Sequence, residues 1–254
     1  MALLLEYSRQ ARTYDQTRAA SPSVLVPLRA ALAGAPGRRL ADIGGGTGNY
    51  ALALKEEGWD PVVVDRSREM LAHAERKGLA TVAADAQRLP FAEESFDAVM
   101  LVSMLHHVED RASAIAQAKR VLRRGGRLAL MAYTLEDISD LWLLDLFPSR
   151  PWMHETHPPL SELLALLPGA QWHPVIFEDL KDASLAALAS HPEKLLDEHW
   201  RAQTSYFERL QCEHPGELEA GLHRLEGLLA AGQAPNRPGR GSVLSWQKTA
   251  GRGV

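Results

Sequence analysis

Between residues 38 and 133, short apolar runs alternate with stretches of helical periodicity. No other feature of this sequence constrains its fold as much. Strand–helix–strand units joined by right-handed crossovers stack as a parallel sheet with helices on its faces. Residues 40–43 read as a first strand ending in glycines, and 50–58 as a helix stopped by Gly58. A second strand spans 61–65; Ser67 then caps a helix carrying Met70, Leu71 and Ala74, and Gly78 ends it. Residues 80–85 form a third strand. Residues 96–103 form a fourth, whose near-continuous apolar run suits a centre covered on both faces. A helix over 112–122, a turn at Gly125-Gly126 and a fifth strand over 127–133 complete the pattern.

Beyond Tyr133 helical segments dominate, around 137–147, 160–167 and 183–231, with strand-like runs at 172–177 and 242–247. The expected fold class is therefore α/β: a Rossmann-like doubly wound seven-stranded sheet with a helical cap or insertion. The core is expected to comprise 1–135, about 170–180 and 242–250, with the cap at about 136–168 and 183–232. A chain of 254 residues buries enough surface to need no disulfide or metal staple. The single Cys212 excludes an internal disulfide framework and a multi-cysteine zinc site. A net charge of −4 provides no global positive field for nucleic acid or an anionic membrane. The apolar run at 2–5 is cut off by Glu6 and Arg9, too short for a signal peptide or a membrane span. The expected location is the cytoplasm.

In such a sheet the ligand sits beyond the carboxyl ends of the strands, and the polar residues here collect there. Asp42-Ile43-Gly44-Gly45-Gly46-Thr47-Gly48 follows the first strand. Side chains in that turn would keep the backbone away from a ligand. Asp65 ends strand two, where a carboxylate can accept both hydroxyls of a ribose. Asp85 ends strand three, within reach of an adenine amino group, and Ser103 ends strand four. Two cofactors fit this pattern. Gly46-Thr47-Gly48-Asn49-Tyr50-Ala51 satisfies the letters of the dinucleotide fingerprint, which makes an NAD-type oxidoreductase the rival reading. Against it stand the D-x-G-x-G-x-G form of the turn and the bulk of Asn49 and Tyr50 where a pyrophosphate would dock.

The glycine turn with Asp42, Val63-Val64-Asp65, Ala84-Asp85-Ala86, Phe96-Asp97 and Leu105-His106-His107-Val108 together resemble the class I S-adenosylmethionine (SAM)-dependent methyltransferases. The resemblance spans about residues 7–133. It is greatest to the branch of the ubiquinone and menaquinone C-methyltransferases and many natural-product methyltransferases. It implies that Asp42, Gly44, Gly45, Gly46 and Gly48 hold the methionine portion of SAM. Asp65, with Arg66 beside it, would hold the ribose, and Asp85 with Ala86 the adenine. Met70 would pack on the adenine face and Ser103 would line the methionine end. Tyr14 and Arg18 would fold over the cofactor towards its carboxylate. The implied function is methyl transfer to an oxygen, nitrogen or carbon of a small molecule, releasing S-adenosylhomocysteine (SAH). The long helical stretch 183–231 departs from the quinone enzymes and favours natural-product tailoring. A non-catalytic SAM-binding protein is the other alternative.

His107 is the expected general base at the crevice mouth; in an extended segment His106 would point the other way. Sulfonium is so good a leaving group that in-line positioning can supply most of the acceleration without a base. In Trp152-Met153-His154-Glu155-Thr156-His157 the histidines stand three apart and lack the H-E-x-x-H spacing, so no metal is expected. Trp152 is expected as an aromatic wall for the acceptor, with His154 or His157 as a polar contact.

Overall fold

The structure is a computed structural model that describes residues 19–147, 151–235 and 237–249, so Tyr14 and Arg18 lie outside it. Helix α1 (Pro22–Leu32) starts on Ser21, whose hydroxyl accepts the Ser23 amide, with Pro22 in the first turn, where no amide is needed. There follow β1 (Arg39–Ile43), α2 (Asn49–Glu56), β2 (Asp60–Asp65), α3 (Arg68–Arg76), β3 (Ala80–Ala83) and β4 (Phe96–Val102). Next come α4 (Arg111–Val121) and β5 (Leu122–Ala132). Ser67 caps α3 as the sequence suggests, accepting the Met70 amide.

The seven strands lie in the order β3-β2-β1-β4-β5-β7-β6, where β6 is Gln171–Ile176 and β7 Arg240–Gln247. Strands β1 to β5 are parallel, whereas β7 runs antiparallel between β5 and β6. The expected α/β sheet is thus present, as a mixed one. Strand order reverses between β1 and β4, which opens a crevice at their carboxyl ends. The turn expected at Gly125-Gly126 is instead a kink within β5: the strand starts at Leu122, Gly125 has φ +77°, and the β4–β5 register slips between Phe96 and Ala98.

Alternation along the strands splits the core. On β4, Ala98 and Met100 face one cluster, and Val99 and Leu101 the other. The first cluster runs on without a break into the later helices, through Trp142, Phe147, Phe207 and Leu225. Those helices are α5 (Leu135–Ser139), α6 (Pro151–Thr156), α7 (Leu160–Leu166), α8 (Leu185–Leu188), α9 (Glu198–Arg201), α10 (Ser205–Glu213) and α11 (Pro215–Ala230). The range assigned to the cap divides: Leu163 and Leu167 of the α7 segment are fully buried with Ile115, Ala118 and Leu244 on the sheet's second face. Helix α7 therefore covers the sheet, because its apolar positions match that face. Among the described residues no helix is long and apolar enough to cross a membrane.

Candidate functional site

The turn after β1 is held from below. The Gly44 and Gly45 amides both donate to Val64 O, at 2.7 and 3.2 Å. A Cβ on Gly45 would stand 2.3 Å from Asp42 Oδ2, so only glycine lets the turn lie against that carboxylate. Gly48 takes the N-cap of α2 with φ +75°, and a Cβ there would stand 2.5 Å from Leu79. Gly48 does not line the cavity below, so its role in the turn is packing.

Asp65 ties this turn to β2. Its Oδ2 accepts the Gly46 amide at 3.0 Å and its Oδ1 accepts the Ser67 amide at 2.8 Å. Burial pushes its carboxyl up from the ordinary range, and these amides pull against that shift. Asp42 is more extreme. Burial first, and the neighbouring Asp65 second, push its carboxyl up to about 8, and its Oδ1 is buried without a partner. Asp85 stays exposed, its Oδ1 accepting the Gln87 amide at 2.8 Å.

These residues surround a cavity of about 320 Å³ at the β1/β4 crevice. Asp42, Gly44, Gly45, Gly46, Asp65, Arg66, Met70, Asp85, Ala86, Ser103 and His107 all line it. Among the further lining residues that sequence reasoning did not assign to the site are Tyr50, Glu109, Asp182, Gln203 and Ser205. The Tyr50 hydroxyl donates to Asp182 Oδ2 at 2.9 Å, and burial raises its pKa well above the phenol range. No local signal marks Asp182. It arrives by packing against α1, where Ala19 N donates to Lys181 O at 2.6 Å and the Ser21 and Ser23 hydroxyls donate to Asp179. The lining is acidic overall. Asp42, Asp65, Asp85, Glu109 and Asp182 face one another around it, and Arg66 is the only lysine or arginine among the described lining residues.

The histidines differ from expectation. Leu105–His107 is one 3₁₀ turn, in which successive side chains diverge by roughly 120° instead of the 180° of a strand. His106 and His107 therefore both reach the cavity, their ring centroids 3.8 Å apart. His106 also lines a second cavity of about 80 Å³. Trp152 and His157 line this one, whereas His154 is exposed on α6 and lines neither. Ser103 borders both cavities, holding a left-handed φ of +52° that costs a non-glycine residue roughly 1–2 kcal/mol. Its amide donates to Met131 O at 3.0 Å, fixing it between the two spaces. Among the described residues no group of three histidine, cysteine, aspartate or glutamate side chains is placed to hold a metal.

Comparison with known proteins agrees with this geometry. Residues 41–130 match the family model described as a methyltransferase domain. A demethylmenaquinone methyltransferase of Beutenbergia cavernae is 41% identical over 106 residues, which is 41% of this chain and 44% of that protein. The match thus spans less than half the length of that curated relative. A structure described as a putative methyltransferase from an antibiotic biosynthesis pathway of Anabaena variabilis superposes with a TM-score of 0.77. It is 24% identical and covers 91% of this chain and 99% of its own. The 4+2 cyclase SpnF superposes at 0.56, with 18% identity over 90% of this chain and 81% of that one. The same fold thus carries more than one chemistry. Residues 41–130 thus match a methyltransferase domain, and the chain as a whole shares the fold of the Anabaena protein.

Proposed function

We propose that this protein is a SAM-dependent methyltransferase acting on a small-molecule acceptor. The acid lining of the larger cavity carries the reading. SAM brings a sulfonium and an ammonium, which the carboxylates of Asp65, Asp85, Glu109 and Asp182 attract, whereas the pyrophosphate of a dinucleotide would be repelled by the same groups. The residues present fit the cofactor in two further respects. A Cβ on Gly46 would meet no protein atom, so the turn leaves room for a ligand, and Asp42 Oδ1 is a buried acceptor lacking a donor.

In this reading the glycine turn and Asp42 hold the methionine portion, and Asp65 the ribose. Asp85, Ala86 and Met70 hold the adenine, and Ser103 borders the methyl end. The bound cofactor supplies an electrophilic methyl group. The chain's own part is to orient the acceptor and exclude water. The acceptor side belongs to the later helices, whose Trp152, His157 and Tyr206 line the second cavity. Acceptors from natural-product tailoring fit best, in keeping with the pathway named for the Anabaena protein. The acidic site and net charge argue against nucleic acid as acceptor. The exposed, unpaired Cys212 suits a reducing compartment such as the cytoplasm.

Calorimetric titration tests the reading. SAH is expected to bind and NAD to give no heat; tight NAD binding with no SAH binding would overturn it.

A further inference from the structure

The second cavity shares Ser103 and His106 with the larger one, so whatever fills it abuts the methionine end of the first. Its walls are mainly apolar: the rings of Tyr133, Trp152 and Tyr206, with Ile138, Leu141 and Met153. Flat aromatic walls around about 80 Å³ suit one planar ring.

His157 enters this cavity in a defined protonation form. Its Nδ1 lies 2.9 Å from Met153 O. A carbonyl only accepts, so that contact requires Nδ1–H and leaves the lone pair of the neutral ring on Nε2. No described residue bonds Nε2. The ring is held in place by stacking on His106, with centroids 5.2 Å apart and planes within 7°. The groups around it are Arg111 on α4, held by Glu162 on α7 at 2.9 Å, Asp137 on α5, His106, His154 on the helix just before it, and Arg240 on β7, which lines the same cavity. Burial first, opposed by the Met153 bond, pushes its pKa below the usual imidazole range; Arg111 pulls the same way as burial. Asp137 is already occupied: its Oδ2 accepts from the Thr134 amide and hydroxyl and from the Ser242 hydroxyl, at 2.8–2.9 Å.

We infer that this cavity seats a compact phenolic or enolic hydroxyl acceptor, and that His157 Nε2 takes its proton. The inference rests on the methyltransferase reading above. A neutral amine attacks with its own lone pair and needs no base beforehand, whereas a hydroxyl on a ring is a weak nucleophile until its proton leaves. A bare imidazole nitrogen in an apolar pocket matches the second case. The O–H proton moves to Nε2, and the freed oxygen pair forms the bond to the methyl carbon. The carbon–sulfur bond breaks with its pair staying on sulfur, which becomes neutral. The imidazolium then returns its proton to solvent.

The test uses the full chain with SAH bound and 4-nitrophenol as probe, since its colour reports ionisation. The wild-type complex is expected to bind the probe as phenolate at a pH where free probe is largely protonated. His157→Asn keeps an amide donor near Met153 O but has no group in place of Nε2. It is expected to retain the thermal midpoint and SAH affinity of the wild type, and to bind the probe within about threefold without the phenolate band. Turnover of single-ring phenols with labelled SAM is expected to fall about a hundredfold or more, and to recover as pH approaches the phenol's own ionisation. His157→Gln provides a second variant should the first unfold. Phenolate formation that survives in both variants would overturn the proposal. So would histidine NMR signals that millimolar phenols leave unmoved. If SAH itself fails to bind, the methyltransferase reading falls and this one with it; if SAH binds and phenols do not, only this one falls.

Discussion

Asp65 Oδ2 accepts the Gly46 amide at 3.0 Å, so the carboxylate at the end of β2 and the glycine turn after β1 form one unit. A ligand that engages either therefore senses both. Asp65→Ala is expected to weaken SAH binding by tenfold or more, through loss of a charge-assisted bond worth roughly 1.5–3 kcal/mol. Calorimetry checks this, and an unchanged affinity would mean that the ribose lies elsewhere.

Gly46 and Gly48 separate ligand space from packing. A methyl on Gly46 meets no protein atom, and Gly46 lines the cavity. Gly46→Ala is expected to cost about 1 kcal/mol for its positive φ but to impair SAH binding far more. A methyl on Gly48 runs into Leu79 and lies near Val63 and Ala74. Gly48→Ala is expected to lower the unfolding free energy by roughly 1–3 kcal/mol, read from urea melts. Equal effects of the two changes on stability would contradict this assignment.

Asp42 makes stability depend on pH. Its folded value, about 8, stands above the unfolded 3.8, so the native state holds a proton that the unfolded chain releases. Stability from this group is full below pH 3.8 and is lost as pH rises towards 8, by at most about 1.4 kcal/mol per unit. Asp42→Asn carries no such proton. Thermal midpoints of the variant are expected to fall less between pH 5 and 8 than those of the wild type; parallel curves would show that Asp42 is ionised when folded.

Helix α11 seats on Phe147 through a residue with no side chain. A Cβ on Gly221 would come within 2.4 Å of that fully buried ring. Gly221→Ala gains helix propensity yet is expected to destabilise by roughly 1–3 kcal/mol, because overpacking outweighs the gain. A raised melting midpoint would show that α11 lifts away at little cost.

Local sequence determined the half of the molecule whose physics is local. The strand runs, the Ser67 cap, the glycine turn and the acids at the tips of β2 and β3 follow from period, capping and turn chemistry acting within a few residues. The ligand end of the sheet was legible for the same reason. Tertiary packing decided the rest. The antiparallel insertion of β7 depends on pairing across the whole chain, and α7 covers the sheet because Leu163 and Leu167 find an apolar face there. Asp182 reaches Tyr50 across 132 positions. His157 becomes a base with a bare Nε2 only because Met153 O takes its other nitrogen and His106 stacks on its ring. A residue's identity sets what it can donate or accept, and its neighbours in the fold decide which of those capacities remains for a ligand.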